Sequence, residues 1–373
     1  MQPLSIVIAG MVAGQPGQGG AAWAVLQYVL GLRSLGHRVT LVEPVTVVAP
    51  GTERFFADVV REFDLAGAAA LVPAAEQRVV GLARESLEDR CRHADLLLNI
   101  SGMLRAPALV EPIPRRVFLD LDPAFNQIWH LQGADMGLDH HTHWVTIAAN
   151  MGRPGCTVPT CDHDWITTLQ PICLDRWPAV EGPVVHDGLT TVGHWRSYGS
   201  VTHEGVFHGQ KAHAWREVID IPQRLRRPCL PAVAIHPHEV HDLAALRAHG
   251  WQLLDPAVEC GTPADYQRFV QGSWAELGIA KSGYVVSNSG WFSDRSVCYL
   301  ASGRPVIASD TGFATVLPTG AGLFSFATSA DVPAAEEAIA SDYARHRRAA
   351  RDLAEGCFDA RRVLPRLLEH VMG

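Results

Sequence analysis

Lysine is nearly missing from this chain of 373 residues: of 31 basic side chains, 29 are arginine, and the two lysines are Lys211 and Lys281. Basic excess is missing too, because 39 acidic residues leave a net charge of −8. A sequence-independent nucleic-acid binder needs a basic stripe, so the charge predicts no nucleic-acid partner. No apolar run approaches the roughly 20 residues that span a bilayer, which predicts no membrane span. The eight cysteines form no CxxC pair, which argues against a disulfide framework and for a reduced, cytoplasmic chain. The opening MQPLSIVIAGMVAG lacks a basic n-region and reads as a first strand, not a signal peptide. GK[ST] and HExxH are absent, which removes a Walker A loop and a zincin site.

What is present is an α/β alternation. The chain is 47% hydrophobic and 19% charged, an ordinary globular composition, and its length predicts about two domains. Residues 4–9 form an apolar strand, followed by a Gly-rich loop (14–20) and a helix over 21–35 with Gly36 as its left-handed cap. Strands follow at 39–42, 95–100 and 116–121. After an aperiodic stretch (151–184), a second series begins, with strands at 190–195, 232–236, 251–254, 285–287, 306–309 and 322–326. Helices are expected at 243–249 and 293–302, at 334–354 with a break near Ser341, and at 360–371. The expected architecture is two Rossmann-like domains, 1–180 and 181–355, facing a cleft. A terminal helix, 356–373, packs near the first domain. Ligands of such sheets sit at the carboxyl ends of the strands.

Two segments combine glycine with a helix start. The first is AGMVAGQPGQGGAAW, residues 9–23. Glycine allows close backbone approach, and free N–H groups at a helix start attract an anion. It is not a clean GxGxxG, and Glu43 is its candidate ribose partner. A plain β–α turn is the competing reading. The second is SNSGWFSDRSVCYLASGRPVIASDTGF, residues 287–313. Ser293, Asp294 and Ser296 suit a helix start, and Arg295 adds positive charge for a diphosphate. A capped core helix explains it equally.

These residues carry a resemblance. SGRPVIASDTGF is similar to the ACGxPVVAS…G segment of GT-B glycosyltransferases of the glycogen-synthase and sucrose-synthase type. LQYVLGLRSLGHRV resembles their N-terminal signature. DLDPAFNQ, GQK, WFSDRS and LPTGAGLFSF resemble, in the same order, segments of a bacterial group of family 1-like glycosyltransferases. The resemblance implies a metal-independent transfer of a sugar from a nucleoside-diphosphate donor, UDP- or GDP-linked, with no further cofactor. It implies a small-molecule acceptor with an O, S or N nucleophile, in bacterial specialised metabolism, and a monomer or homodimer. Gly19 and Gly20 would approach the donor, Arg196 and Lys211 would grip its diphosphate, and Ser289, Gly290, Trp291, Phe292 and Ser293 would face its sugar. Arg295 and Ser296 would face phosphate or ribose, and Asp294, also on the donor side, would stand in for a glutamate of that family; apart from the resemblance, the place of Lys281 near the donor loops makes it a candidate support of the Lys211 loop. One departure stands out: the retaining enzymes carry two glutamates eight positions apart, where this chain has Gly290 and Cys298. A non-catalytic nucleotide-sugar binder and a sugar-nucleotide epimerase or hydrolase are the alternatives.

A general base is sought at the end of RRVFLDLDP. Asp122 comes first because Pro123 ends the strand there, with a helix-capping aspartate as the competing reading. His141 and His143 are the rival bases. DHHTHW (139–144) and IHPHEVHD (235–242) also have spacings that suit a divalent metal. The expectation remains no metal site.

Overall fold

The computed structural model describes residues 2–74 and 78–373. Two parallel sheets dominate it. The first contains β1 (Ser5–Ala9), β2 (Arg38–Val45), β3 (Ala69–Pro73), β4 (Val80–Gly81), β5 (Leu96–Ile100), β6 (Arg115–Asp120), β7 (His143–Thr146) and β8 (Trp165–Thr167). Their spatial order is β4-β3-β2-β1-β5-β6-β7-β8, and only β4 runs antiparallel. Next come β9 (His186–His194), the hairpin of β10 (Val201–His203) and β11 (Val206–His208), then β12 (Cys229–Ala234), β13 (Ser273–Gly278), β14 (Val306–Ser309) and β15 (Leu323–Phe326). The second sheet has the order β12-β9-β13-β14-β15. Parallel sheets are covered on both faces and read as continuous apolar runs. That is why SIVIA in β1 and LLLNI in β5 are almost wholly buried.

The Gly19–Ser34 helix is buried on nearly every side, Gln27 and Tyr28 included, because three bodies pack on it. One is the first sheet. The second is the Ala360–Met372 helix, which returns from the far end of the chain to lie against it: an added Cβ at Gly31 would sit 2.5 Å from Leu364 and 3.0 Å from Ala360. The third is the Pro263–Gly272 helix of the second half, where Trp23 donates from Nε1 to the Pro263 carbonyl at 2.9 Å. The return is pinned by Ile172, whose N–H donates to the Phe358 carbonyl (2.7 Å) and whose carbonyl accepts from the Ala360 N–H (3.0 Å).

Several sequence expectations need correction. No strand forms at 285–287. Those residues end a short helix, Ser282–Val286, and the strand of that unit is β13, SWAELG. A glutamate at its centre hides its apolar character, yet Glu276 is fully buried because Arg295 pairs with it. The expected strand at 251–254 is reduced to a bridge between Trp251 and Cys229. Gly36 does take the left-handed conformation (φ 88°), and the break near Ser341 is real, with helices Val332–Ser341 and Tyr343–Leu353 meeting at Asp342.

The Gly31 contact predicts that Gly31→Leu lifts the terminal helix. Overpacking costs about 1–3 kcal/mol, to be read as a lower urea midpoint, whereas Gly36→Asn, at a left-handed cap with open space around it, stays within about 0.5 kcal/mol.

Candidate active site

The carboxyl ends of both sheets open onto a cleft of about 670 Å³. The Gly-rich loop 15–21 forms one wall, and the ends of β9 and β12 form the other. Glu43 shapes the first wall. Its carboxylate is fully buried and accepts from the N–H groups of Ala13 (2.8 Å) and Gly14 (2.6 Å). Burial raises its pKa, and those N–H groups oppose the rise. Glu43 therefore buttresses the loop, and its carboxylate is not presented to a ribose.

Gly19 and Gly20 act at the seam between the halves. A Cβ on Gly19 would lie 2.0 Å from the Thr262 carbonyl oxygen, and one on Gly20 would lie 2.7 Å from the Tyr266 ring. The Gly19 N–H donates to the Cys260 carbonyl at 3.0 Å. These glycines let two backbones meet, and only Gly20 also borders the cleft.

Positive charge gathers on the second wall. Lys211 opens a short helix, Lys211–Glu217, and its Nζ would be 2.6 Å from a Cβ at Gly193, so glycine alone admits the ammonium to this wall. Among the described residues Lys211 makes no hydrogen bond or ion pair. Its pKa is held well below the ordinary lysine value, first by burial and then by repulsion from Arg295 and Lys281. His194, on the cleft beside it, is likewise lowered by burial, Lys211 and Lys281. Arg295 donates from Nε to Glu276 at 2.5 Å and from Nη1 to the Val192 carbonyl at 2.8 Å. Burial opposes its charge most strongly, but Glu276, Tyr266 and Asp294 together hold the guanidinium above its usual pKa. Arg196 lies on the rim and donates to Glu239 at 2.5 Å. Asp294 borders the same cleft and has no hydrogen-bond or ion-pair partner among the described residues.

Asp122 is placed differently from a free base. Lys281 Nζ donates to both of its carboxylate oxygens, at 3.1 and 2.9 Å, and the Tyr284 hydroxyl donates to it as well. The same ammonium contacts the Tyr198 hydroxyl and lies 4.0 Å from the Tyr198 ring centroid. The pair joins the end of β6 to the turn after β13, so it ties the two sheets together. Burial lowers the Lys281 pKa and Asp122 opposes this. Lys281 thus locks the halves, rather than supporting the Lys211 loop. Neighbouring Asp120 is buried with four donors, the Asn126 and Gln127 amides, the Thr146 hydroxyl and the Asp122 N–H.

The histidine candidates lie away from the cleft. His143 starts β7, at the amino end of that strand, and touches Thr142 at 2.8 Å. His141 is buried between Asn99 (3.0 Å) and the Gly137 carbonyl (2.7 Å), and burial pushes its pKa down to about 4. It is a neutral core residue at ordinary pH. The 287–296 loop is also partly structural. Gly290 (φ 72°) leaves room for Asn150, whose N–H donates to the Ser289 carbonyl at 3.0 Å. Phe292 is stacked on Phe358, Trp291 stacks on Tyr284, and Ser293 and Ser296 border a void of only about 10 Å³. Ser293 stands at the helix N-cap, but its side chain makes no capping bond. Among the described residues, no three His, Cys, Asp or Glu side chains meet in a metal-binding group. Also among them, no helix is long and apolar enough to cross a membrane.

With this geometry in hand, comparison with solved structures is direct. An alpha-glucosyltransferase in complex with UDP and a 13-mer DNA has a TM-score of 0.65 at 12% identity, covering 99% of this chain and 100% of the other. Anabaena HepE in complex with UDP and glucose has a TM-score of 0.63 at 12% identity, covering 99% and 100%. A Rickettsia africae glycosyltransferase has a TM-score of 0.53 at 12% identity, covering 100% and 98%. The chain has the GT-B fold. No known family profile matches it, and neither does any curated protein sequence.

The GT-B comparison corrects one expectation. Net charge argued against a nucleic-acid partner, but alpha-glucosyltransferases of this GT-B shape have been solved with DNA bound. The exclusion is withdrawn. Net charge sums over the whole surface, whereas a strand meets the local field of one face. Sequence reading also missed His194, Tyr198, Asn150 and Glu276. HWRSYG directly after a strand was the available signal for the first two. Nothing local marks Asn150 or Glu276, because their partners are remote in sequence.

Breaking the Asp122–Lys281 pair leaves a poorly hydrated charge. Asp122→Ala is expected to lower unfolding free energy by about 3 kcal/mol. Lys281→Met combined with Asp122→Leu should recover most of that loss in the same urea titration. Equal losses that simply add would show the two side chains to be independent.

Proposed function

We propose that this protein transfers a sugar from a UDP-linked donor to an acceptor held on the first-sheet side of the cleft. The observation that carries the reading is Lys211, an amine without a hydrogen-bond or ion-pair partner among the described residues, packed directly against Gly193 of the cleft wall and within the field of His194 and Arg295. A nucleoside diphosphate supplies the charge that this wall lacks. UDP is favoured because the alpha-glucosyltransferase and HepE structures contain it.

In the reaction, the acceptor nucleophile bonds to the anomeric carbon as the bond from that carbon to the β-phosphate oxygen breaks. The electron pair leaves with UDP, and the nucleophile's proton passes to the departing diphosphate or to solvent. Charge therefore grows on the diphosphate, and preoriented cations in a poorly hydrated cleft stabilise it most where it develops. Arg295, fixed by Glu276, and Lys211, fixed against Gly193, need little reorganisation for this. The acceptor class is left to experiment, with duplex DNA and small hydroxyl compounds as the two arms of one transfer assay.

Lys211→Ala is expected to lower UDP release by about 10²-fold or more. Lys211→Arg should fail similarly, because a planar fork does not reproduce the compact ammonium packed on Gly193. Retained activity in Lys211→Arg would remove the point-charge role.

The lowered Lys211 pKa sets the sign of a pH effect. A bound diphosphate favours the charged ammonium, so UDP binding takes up a proton and weakens as pH rises above the free protein's lowered value toward 10.5. His194, Arg295, Lys281, Asp294 and Glu276 share this environment. Calorimetry in buffers of different ionisation enthalpy should therefore show net proton uptake that is lost in Lys211→Met.

A further inference from the structure

A second cavity, of about 150 Å³, lies behind the cleft between the Gly19–Ser34 helix and the start of the Asp294–Ala301 helix. Asp294 borders both spaces. Trp23, Leu121, Ile147 and Pro171 give the cavity apolar walls. Within them, three buried polar atoms have no hydrogen-bond partner among the described residues: Gln27 Nε2, Tyr28 Oη and Gln170 Oε1. Their residues all line this cavity and are only 2–3% exposed. Buried polar groups are nearly always paired, so three orphans around one space point to an occupant.

The orientation of each amide is set by its other end. Gln27 Oε1 accepts from the Cys173 N–H at 2.8 Å, which leaves Nε2 as a donor. Gln170 Nε2 donates to the Phe292 carbonyl, which leaves Oε1 as an acceptor. Tyr28 supplies a hydroxyl that can do either, and Asp294 adds a carboxylate at the mouth. A donor, an acceptor and a hydroxyl between apolar walls match a ring that carries neighbouring hydroxyl groups on an apolar frame. The volume corresponds to about five waters at roughly 30 Å³ each, room for a single sugar ring.

We propose that this cavity is a sugar-ring subsite, with Gln27, Tyr28 and Gln170 reading hydroxyl groups and Asp294 joining it to the diphosphate cleft. The subsite rests on the transfer reading for its role but not for its ligand chemistry. The ring belongs either to the donor or to the acceptor, and binding measurements separate the two.

The test is calorimetric titration of the full chain with UDP, UDP-glucose and methyl α-glucoside, the last with and without UDP. Wild type is compared with Tyr28→Phe, which removes one oxygen, and Ala24→Leu, which fills the space. Melting curves check that both variants fold. If the ring is the donor's, both variants lose about tenfold or more in UDP-glucose affinity, with UDP affinity unchanged. If it is the acceptor's, UDP and UDP-glucose are unaffected and methyl α-glucoside binding is lost; either result supports the subsite. Unchanged affinities for all ligands in both folded variants would overturn it and leave the cavity to water. A wild type that binds no UDP would instead defeat the transfer reading, with methyl α-glucoside alone then deciding the cavity.

Discussion

The ion pair of Lys281 with Asp122 is the constraint on which the site depends. Two separate sheets offer loops to one cleft, and loops on separate bodies hold a diphosphate only if the bodies keep their register. A largely desolvated ammonium, bonded to a carboxylate from the other half and enclosed by Phe125, Tyr198 and Tyr284, supplies a directional tie that apolar packing alone does not. Such pairs add little net stability against an apolar substitute. Their contribution is to specify one arrangement. Gly19 against Thr262 and Gly290 against Asn150 do the same with backbone, and three ties at separated points fix a relative orientation.

Much of the fold was readable from the sequence because its strands are buried on both faces and so appear as apolar runs, as in β1, β5 and β14. The failure at β13 has a physical cause. A buried glutamate is tolerated only with its cationic partner, and Arg295, nineteen positions on, is invisible to a local window. The same cause limited the site. Asp122 was found as a carboxylate at a strand end, which is correct, but its partner lies 159 positions away, so its engagement could not be read. His141 and His143 were attractive as residue types, yet β7 enters the sheet with them, and its carboxyl end, not its start, faces the cleft. Glycines 19 and 20 were read as places of close approach to a donor, and Gly290 as a residue facing its sugar. The approaching group is the other half of the chain.

Net charge failed for a related reason. An excess of eight negative charges is a sum, and the cleft is a place. His194, Arg295 and Arg196 line it with Lys211 packed behind Gly193, and only a few acids stand close by: Asp294 on the wall, Glu276 on Arg295 and Glu239 on Arg196. A structure can therefore be acidic overall and hold anions locally, through screening lengths of about 8–10 Å that keep distant charges from cancelling near ones.

The two lysines then divide two tasks that arginine would confuse. An arginine in place of Lys281 would present a planar fork with five donors to a space that holds one carboxylate, and its surplus N–H groups would be buried unpaired. An arginine in place of Lys211 would bring a longer, planar group to the point where the ammonium now packs on Gly193. Both positions require a compact ammonium, one with a permanent partner and one without. The paired lysine gives its charge to the architecture and has little left for a ligand. In the unpaired one, desolvation and like-charge repulsion disfavour the charged form, and an anion entering the cleft would favour it again. On the proposed reading, diphosphate binding and recharging of Lys211 are one event, which is why the chemistry is expected at this wall and not at the hydrogen-bonded carboxylate of Asp122.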